Sequence, residues 1–330
     1  MSIYLRRREF IAALGGAAAA WPVAARAQKP GLPVVGFLRP DTPAGGGDIA
    51  AAFRKGLSET GFVEGRNLVI EFRWGQNDRG RVPELAADLV HRKVDVIAAP
   101  GNALGALAAK ALTLSIPIVF STSLDPVQIG LVTSLNRPTE NVTGFASTAQ
   151  ELESKQLGLL HELVPTSMRF GLLVTRTIVT LERIINDARS AAAAVGKEME
   201  VVVASDSEID AAFVELAQKH LDAVMVAEDL LLEARRSQIL TLAARHAVPA
   251  IYSNRAWADA GGLMSYGSIR SELGRQAGLY VGRILKGEKP FELPIARATR
   301  FEFVINLATA RAIGMDVPPT LLAIADDVIE

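Results

Sequence analysis

The chain is written in blocks, with short, nearly continuous apolar runs between longer stretches in which apolar residues return every three or four positions. The runs fall at 34–38, 94–98, 116–120, 170–174, 199–204, 222–226, 248–252 and 263–267. Unbroken runs of this length read as strands buried on both faces, the sign of a parallel sheet rather than of half-exposed hairpins. The stretches between them read as amphipathic helices that cover the sheet. One is expected over 48–60, with Ile49, Ala52, Phe53 and Leu57 inward, Gly61 closing it, and the glycine-rich 39–47 as a loop before it. Others are expected from Pro83, over 103–114, behind a capping box at 148–151, up to Val195, over 210–220 and over 269–286. Only 68–74 and 301–306 alternate; the first reads as a sheet-edge strand, the second as a crossing between bodies.

Strand, helix, strand is the βαβ unit, and it occurs twice in the same form. Asp95-Val96-Ile97 followed by Ile116-Pro117-Ile118-Val119-Phe120 is echoed by Asp222-Ala223-Val224 followed by Val248-Pro249-Ala250-Ile251-Tyr252. A repeat this long is no solenoid, and it predicts two lobes of one design. The expected fold is therefore α/β: two similar doubly wound parallel-sheet lobes joined by three crossovers, near 145, 267 and 304. Lobe 1 is drawn as 32–145 with 268–303 and lobe 2 as 146–267 with 304–330, ending in a helical tail. In such sheets small ligands bind beyond the carboxyl ends of the strands, where helix N-termini present free N–H groups.

A length of 330 residues also favours two domains. With 49% hydrophobic and 22% charged residues the chain folds rather than staying disordered. A net charge of −1 leaves no basic footprint for nucleic acid, and the absence of cysteine excludes disulfides, thiolate metal sites and a cysteine nucleophile. The N-terminus changes the picture most. Arg6-Arg7-Arg8-Glu9-Phe10-Ile11, an alanine-rich run to Val23 and Ala25-Arg26-Ala27 have the layout of a cleavable signal of the twin-arginine type. The apolar run is shorter than the ~20 residues of a membrane span. Cleavage near Ala27 removes four basic residues and one acidic one, taking the net charge from −1 to −4. The expected location is the periplasm, with the twin-arginine export machinery as the precursor's partner.

Catalytic chemistry is hard to find. There is no G-x-x-x-x-G-K-[ST] loop and no G-x-G-x-x-G after a strand, and no cofactor is expected. Leu263 stands where a nucleophile elbow around Ser265 would need glycine. His91, His161, His220 and His246 show no i, i+4 pairing, and no metal site is expected. Glu228-Asp229 is the one acidic pair at a strand end, without an identifiable catalytic partner. The strand ends carry instead Thr42, Gly101, Asn102, Ser121, Thr122, Asp125, Thr175, Asp229, Asn254 and Ser265, groups that hydrogen-bond well and react poorly. Asn102, at a helix N-terminus, is the candidate carboxylate anchor. Ser121, Thr122 and Asp125 would fix polar groups, and Tyr252 or Trp257 would stack on a flat ligand. Two lobes that bring such loops together form a cleft able to close on a small polar solute and bind it without transforming it.

Several segments in order resemble a known family: Arg7-Arg8-Glu9-Phe10-Ile11, Ala52-Phe53-Arg54-Lys55-Gly56-Leu57, Ile70-Glu71-Phe72-Arg73-Trp74, Leu135-Asn136-Arg137-Pro138, Asn141-Val142-Thr143-Gly144, Gly261-Gly262-Leu263-Met264-Ser265-Tyr266-Gly267 and Gly282-Arg283-Ile284-Leu285-Lys286-Gly287. The chain is similar over nearly its whole length to bacterial ABC-transporter substrate-binding proteins of the tryptophan-binding-protein-like type. That resemblance implies a type I periplasmic-binding fold and a cleft lined by the loops after Leu38, Ala98, Phe120, Val174, Val226 and Tyr252. It further implies a small-molecule solute, amino-acid-like or aromatic, no catalysis, and an inner-membrane ABC permease as partner. A ligand sensor for a membrane receptor and an exported α/β enzyme are the alternatives. A repressor of the sugar-regulator type would need a DNA-binding helix pair where the export signal stands.

Overall fold

The computed structural model describes residues 31–330 apart from 123, 137–140, 147–148, 179, 206 and 298–299, and apart from the side chains of 149–151. The export signal at 1–27, Ser123, Arg137-Pro138 and the capping box that needs Thr148 lie outside the described residues.

Two sheets form, and five strands of each follow the same order. The first lobe runs through β1 (Val34–Arg39), α1 (Pro43–Glu59), β2 (Val69–Trp74), α2 (Val82–His91), β3 (Val96–Ala99), α3 (Ala103–Lys110), β4 (Ile118–Thr122) and β5 (Val142–Ala146). The second continues with α4 (Ala149–Leu163), β6 (Arg169–Thr175), α5 (Leu181–Ala194), β7 (Glu198–Ala204), α6 (Ile209–Gln218), β8 (Ala223–Val226), α7 (Leu230–Ala234), α8 (Arg236–Arg245), β9 (Ala250–Tyr252), α9 (Arg255–Asp259) and β10 (Met264–Ser268). Then α10 (Arg270–Leu285) and β11 (Ala296–Arg297) return to the first lobe. The chain ends in the second with β12 (Phe301–Asn306), α11 (Leu307–Ala312), α12 (Pro319–Ile324) and β13 (Asp327–Ile329). Sheet 1 has the order β11-β5-β4-β3-β1-β2 and sheet 2 the order β13-β12-β10-β9-β8-β6-β7. Every strand pair is parallel except β10 with β12.

The repeat seen in the sequence is a repeat of hydrogen bonds. Asp95 Oδ2 accepts from the Val34 N–H at the start of β1 (2.7 Å), and Asp222 Oδ2 accepts from Met168 and Arg169 at the start of β6 (3.0 and 3.2 Å). The carbonyl of Pro117 takes the Ile97 N–H, and that of Pro249 takes the Val224 N–H. A proline can sit there because only its carbonyl is asked to pair.

Each sheet is covered on both faces, which is why its strands read as unbroken apolar runs. Phe37, Val96 and Val119 pack under Phe53 of α1 and Val281 of α10, while Ile97 and Phe120 pack under Leu89 of α2 and Ala106 of α3. Full burial of one such large side chain contributes about 1.5–3 kcal/mol. Helices α1 and α10 touch backbone to backbone through glycine. A Cβ at Gly278 would stand 2.3 Å from the Phe53 carbonyl oxygen, and one at Gly274 2.4 Å from that of Ile49.

The structure moves several expected elements. The expected loop at 39–47 is shortened, because α1 begins at Pro43, with the Thr42 hydroxyl accepting from the Gly45 N–H and proline in the first turn. The poor helix former Gly46 is retained there, since a Cβ would meet Trp74 at 2.6 Å and Arg39 at 2.7 Å. Ser121 and Thr122, expected in a loop, are the last residues of β4. Residues 301–306 form a strand of sheet 2 along their whole length, so the third passage between sheets lies before Phe301. The tail closes on β13, a strand paired with β12, rather than on a helix.

Candidate functional site

The carboxyl ends of β1, β3 and β4 face those of β8 and β9 across a cavity of about 400 Å³ lined by both lobes. Lobe 1 contributes Arg39, Asp41, Thr42, Arg79, Gly101, Asn102 and Thr122; lobe 2 contributes Glu153, Arg183, Asp229, Glu233, Arg236 and Asn254. Ser268, Arg270 and Leu273 line it where the chain passes back to lobe 1. Leu104, Leu107, Leu152, Ile178, Ile184 and Met225 give it an aliphatic stretch of wall, beside further polar residues such as Asn77, Gln156 and Ser253.

Six of the sequence candidates line this cavity: Thr42, Gly101, Asn102, Thr122, Asp229 and Asn254. Four of these are helix N-caps. Thr42 caps α1, Asn102 caps α3 by accepting from the Gly105 N–H (2.7 Å), Asp229 caps α7 and Asn254 caps α9. The cap occupies only part of each side chain. Asn102 Oδ1 is used by the helix while its Nδ2 is buried without a partner among the described residues. Gly101 has φ +75°, donates its N–H to Ser121 Oγ (2.6 Å) and leaves no room for a Cβ, which would stand 2.6 Å from Arg39 Nη1. Thr122 Oγ1 accepts from the Leu124 N–H.

The other candidates do not reach the cavity. Ser121 stands behind it and holds the Gly101 turn. Asp125 is exposed and caps the next turn through Val127 and Gln128. Thr175 is fully buried against Thr177, and Ser265 is fully buried in β10. Tyr252 and Trp257 were expected to stack on a ligand; instead they stack on each other, centroids 4.7 Å apart and planes 11° from parallel, inside the lobe 2 core. Burial pushes the Tyr252 hydroxyl pKa well up. The helices packed over β9 enclose both rings in the interior, and their role at the cleft is indirect. Trp257 Nε1 and Asn254 Nδ2 both donate to Glu233 Oε1 (2.8 and 2.7 Å), whose other oxygen pairs with Arg236 (2.6 Å).

What the sequence reading missed is charge. Arg39 is buried at 4% exposure and bonds Asp41 through two nitrogens, Nε to Oδ1 at 2.9 Å and Nη2 to Oδ2 at 2.5 Å, while Nη1 donates to the Pro100 carbonyl. Arg79, in the turn after β2, crosses the cleft: Nη2 donates to Asp229 Oδ2 (2.6 Å) and Nη1 to the Thr177 carbonyl (3.2 Å). Arg270 Nη2 donates to the Gly45 carbonyl and its Nε to Asp48. On α4, Glu153 lies 3.8 Å from Arg183 Nη1, which itself is held by Asp187 at 2.6 Å. Burial pushes the Glu153 carboxyl up to about 7; Arg183 opposes the shift, and Asp187 and Glu228 add to it. Five buried polar atoms of the lining have no hydrogen-bond partner among the described residues: Asn102 Nδ2, Glu153 Oε2, Arg183 Nη2, Arg236 Nε and Ser268 Oγ. No group of three or more His, Cys, Asp or Glu side chains among the described residues is placed to hold a metal ion.

Residues 46–329 match the model of a family described as ABC transporter substrate binding protein. The chain belongs to the ABC transporter substrate-binding protein family. It is therefore a protein that captures a solute for an ABC transporter, in a family that is typically extracytoplasmic. No helix among the described residues is long and apolar enough to cross a membrane. A tyrosine-binding protein of Clostridioides difficile is 29% identical over 265 residues, 80% of this chain and 75% of that protein. Among solved structures, a conserved domain protein from Vibrio cholerae superposes with a TM-score of 0.84 at 23% identity, covering 90% of this chain and 99% of that one. A Streptococcus pneumonia ABC domain in complex with L-Trp superposes with a TM-score of 0.83, again at 23% identity and with the same coverage. These structures share the two-lobed fold described above.

Proposed function

We propose that the cleft receives an amino acid, or a solute of that size joining a charged head to an apolar body, and that the closed form delivers it to an inner-membrane ABC permease. The observation that carries this reading is the set of five unpartnered polar atoms in residues that line a cavity with an aliphatic stretch of wall beside its charged one. A buried polar group left without a partner costs about 1–3 kcal/mol, and a solute that supplies the missing partners recovers that cost. The cavity of about 400 Å³ is within the range of small-ligand pockets. A tyrosine-binding relative and a neighbour solved with L-Trp support the amino-acid class. With Tyr252 and Trp257 enclosed, the apolar body of the solute rests on leucine, isoleucine and methionine side chains rather than between rings.

On the same reading the mature chain is periplasmic, and residues 1–27 are a twin-arginine signal cut near Ala27. Its lobes are divided after β5, after β10 and before Phe301. Native mass spectrometry of the protein purified from its own periplasm is the test. Loss of the first 27 residues together with a retained solute of amino-acid mass is expected. Retention of a nucleotide or a sugar, or a panel of amino acids that leaves the protein unchanged in titration calorimetry, would remove the amino-acid class.

A further inference from the structure

We propose that Glu153 is the seat of the solute's ammonium group, so that the cleft selects a primary amine or α-amino acid over its deaminated counterpart. The inference rests on the reading of the cleft as the solute site and names one group within it. Glu153 lines the cavity, and its buried Oε2 accepts no hydrogen bond among the described residues. Its nearest cation, Arg183 Nη1, is 3.8 Å away, too far for a hydrogen bond, and is committed to Asp187 at 2.6 Å. Arg183 meanwhile keeps Nη2 without a partner in the same wall. An acceptor and a donor that stand side by side, each unused, are complemented by one molecule carrying both signs. The ammonium goes to Glu153. The carboxylate goes to the free donors, Arg183 Nη2 on lobe 2 and Asn102 Nδ2 on lobe 1.

The proton balance follows from the surroundings. The charged groups that face Glu153 are Arg183 and Asp187 on α5 and Glu228 in the loop after β8. The strands β8, β9 and β10 and the helix α12, which also pack on α4, contain no ionisable residue besides Tyr252 and Tyr266. Without a ligand the carboxyl, pushed up to about 7, is half protonated at neutral pH. An ammonium group beside it restores the carboxylate, so capture sends the displaced proton to solvent. Below pH 7 the solute competes with that proton, and affinity for an ammonium-bearing solute drops about tenfold between pH 8 and pH 6.

The test uses the mature protein and titration calorimetry at pH 6 and pH 8. The probes are L-tyrosine, L-tryptophan and L-leucine with their deaminated counterparts 3-(4-hydroxyphenyl)propionate, indole-3-propionate and 4-methylpentanoate. Binding of at least one amino acid, tighter by about tenfold at pH 8, with its deaminated counterpart more than tenfold weaker, is the expected result. Glu153→Gln keeps the shape and removes the charge; it should weaken the amino acid at pH 8 and flatten the pH dependence. Equal affinity at both pH values, or an unchanged Glu153→Gln, overturns the proposal and leaves solute capture standing. Tighter binding at pH 6 overturns it by making protonated Glu153 a donor to the solute. A wild-type protein that binds none of the amino acids overturns it together with the amino-acid class.

Discussion

Arg79 is where the two lobes hold each other, and its removal should be read in ligand affinity and not in folding. Its Nη2 reaches Asp229 Oδ2 at 2.6 Å, and the Asp229 side chain is 0% exposed while that of Arg79 is 31% exposed. Removing one partner of a fully buried ion pair costs about 3–5 kcal/mol. Solvent at the arginine screens part of this, and the second bond, to the Thr177 carbonyl, is long at 3.2 Å. A net loss of about 2 kcal/mol follows, and it falls on the closed form alone, because parting of the lobes hydrates both groups. Arg79→Ala should therefore weaken solute binding about thirtyfold, since 1.4 kcal/mol is a factor of ten. Asp229 Oδ1 still accepts from Leu231 and Leu232, so α7 keeps its cap and the ligand-free melting temperature should not move. The assay is calorimetric titration with the tightest of the L-amino acids, alongside small-angle scattering to follow closure. A Kd within threefold of wild type, or a fall in melting temperature with no change in Kd, would refute the claim that the pair belongs to closure.

Three further outcomes follow from particular contacts. Asn102→Asp keeps the acceptor that caps α3 but turns the free Nδ2 into a carboxylate oxygen. Affinity for a carboxylate-bearing solute should drop ten- to a hundredfold by calorimetry, the worth of about 1.5–3 kcal/mol for one charged hydrogen bond. Gly278→Ala puts a Cβ 2.3 Å from the Phe53 oxygen, and the overpacking cost of about 1–3 kcal/mol exceeds the helix preference of alanine, about 1 kcal/mol. Thermal melts should show a loss there and a gain for Gly158→Ala, whose Cβ meets nothing within 4 Å. Glu153, raised from 4.5 to about 7, costs the ligand-free fold nothing below pH 4.5 and progressively more up to pH 7, reaching about 3 kcal/mol. Glu153→Gln should accordingly raise the melting temperature at pH 8 and leave it unchanged at pH 4, and an equal effect at both would show that the buried charge is not the cause.

The architecture was legible because both sheets are covered on both faces. Strands such as Phe170-Gly171-Leu172-Leu173-Val174 then have no polar side to disguise them, and the paired Asp95/Asp222 and Pro117/Pro249 mark the same two pairing positions in each lobe. The lining of the cleft was legible mainly where a helix cap stands at a strand end, with Gly101 and Thr122 beside the caps. Thr42, Asn102, Asp229 and Asn254 stand out at strand ends because a helix start favours those residue types, whatever else they do. Glu153 and Arg183 lie inside helical stretches, where a charged residue is ordinarily a solvated face, and no local pattern says that two helices turn these toward the cleft. Tyr252 and Trp257 err the other way. An aromatic at a strand end suggests stacking, and only the packing of α8 and α9 over β9 shows that the rings face inward.

The duplication also explains why the reactive-looking groups are few and the charged ones many. In two parallel sheets placed with their carboxyl edges together, helix N-termini α3, α7 and α9 all open toward one gap, and their caps supply neutral or already committed side chains. Such a gap has backbone partners enough to orient a polar solute but no means of holding itself shut. Closure then depends on side chains long enough to cross it, as Arg79 does. On the proposed reading, selectivity depends on charges left incompletely paired by their own lobe, as Glu153, Arg183 and Arg236 are. A well-paired charge in that wall would give the solute nothing to replace. The incompletely paired ones make the ligand-free cleft costly, and on the proposed reading a solute that completes their pairing draws the two lobes together.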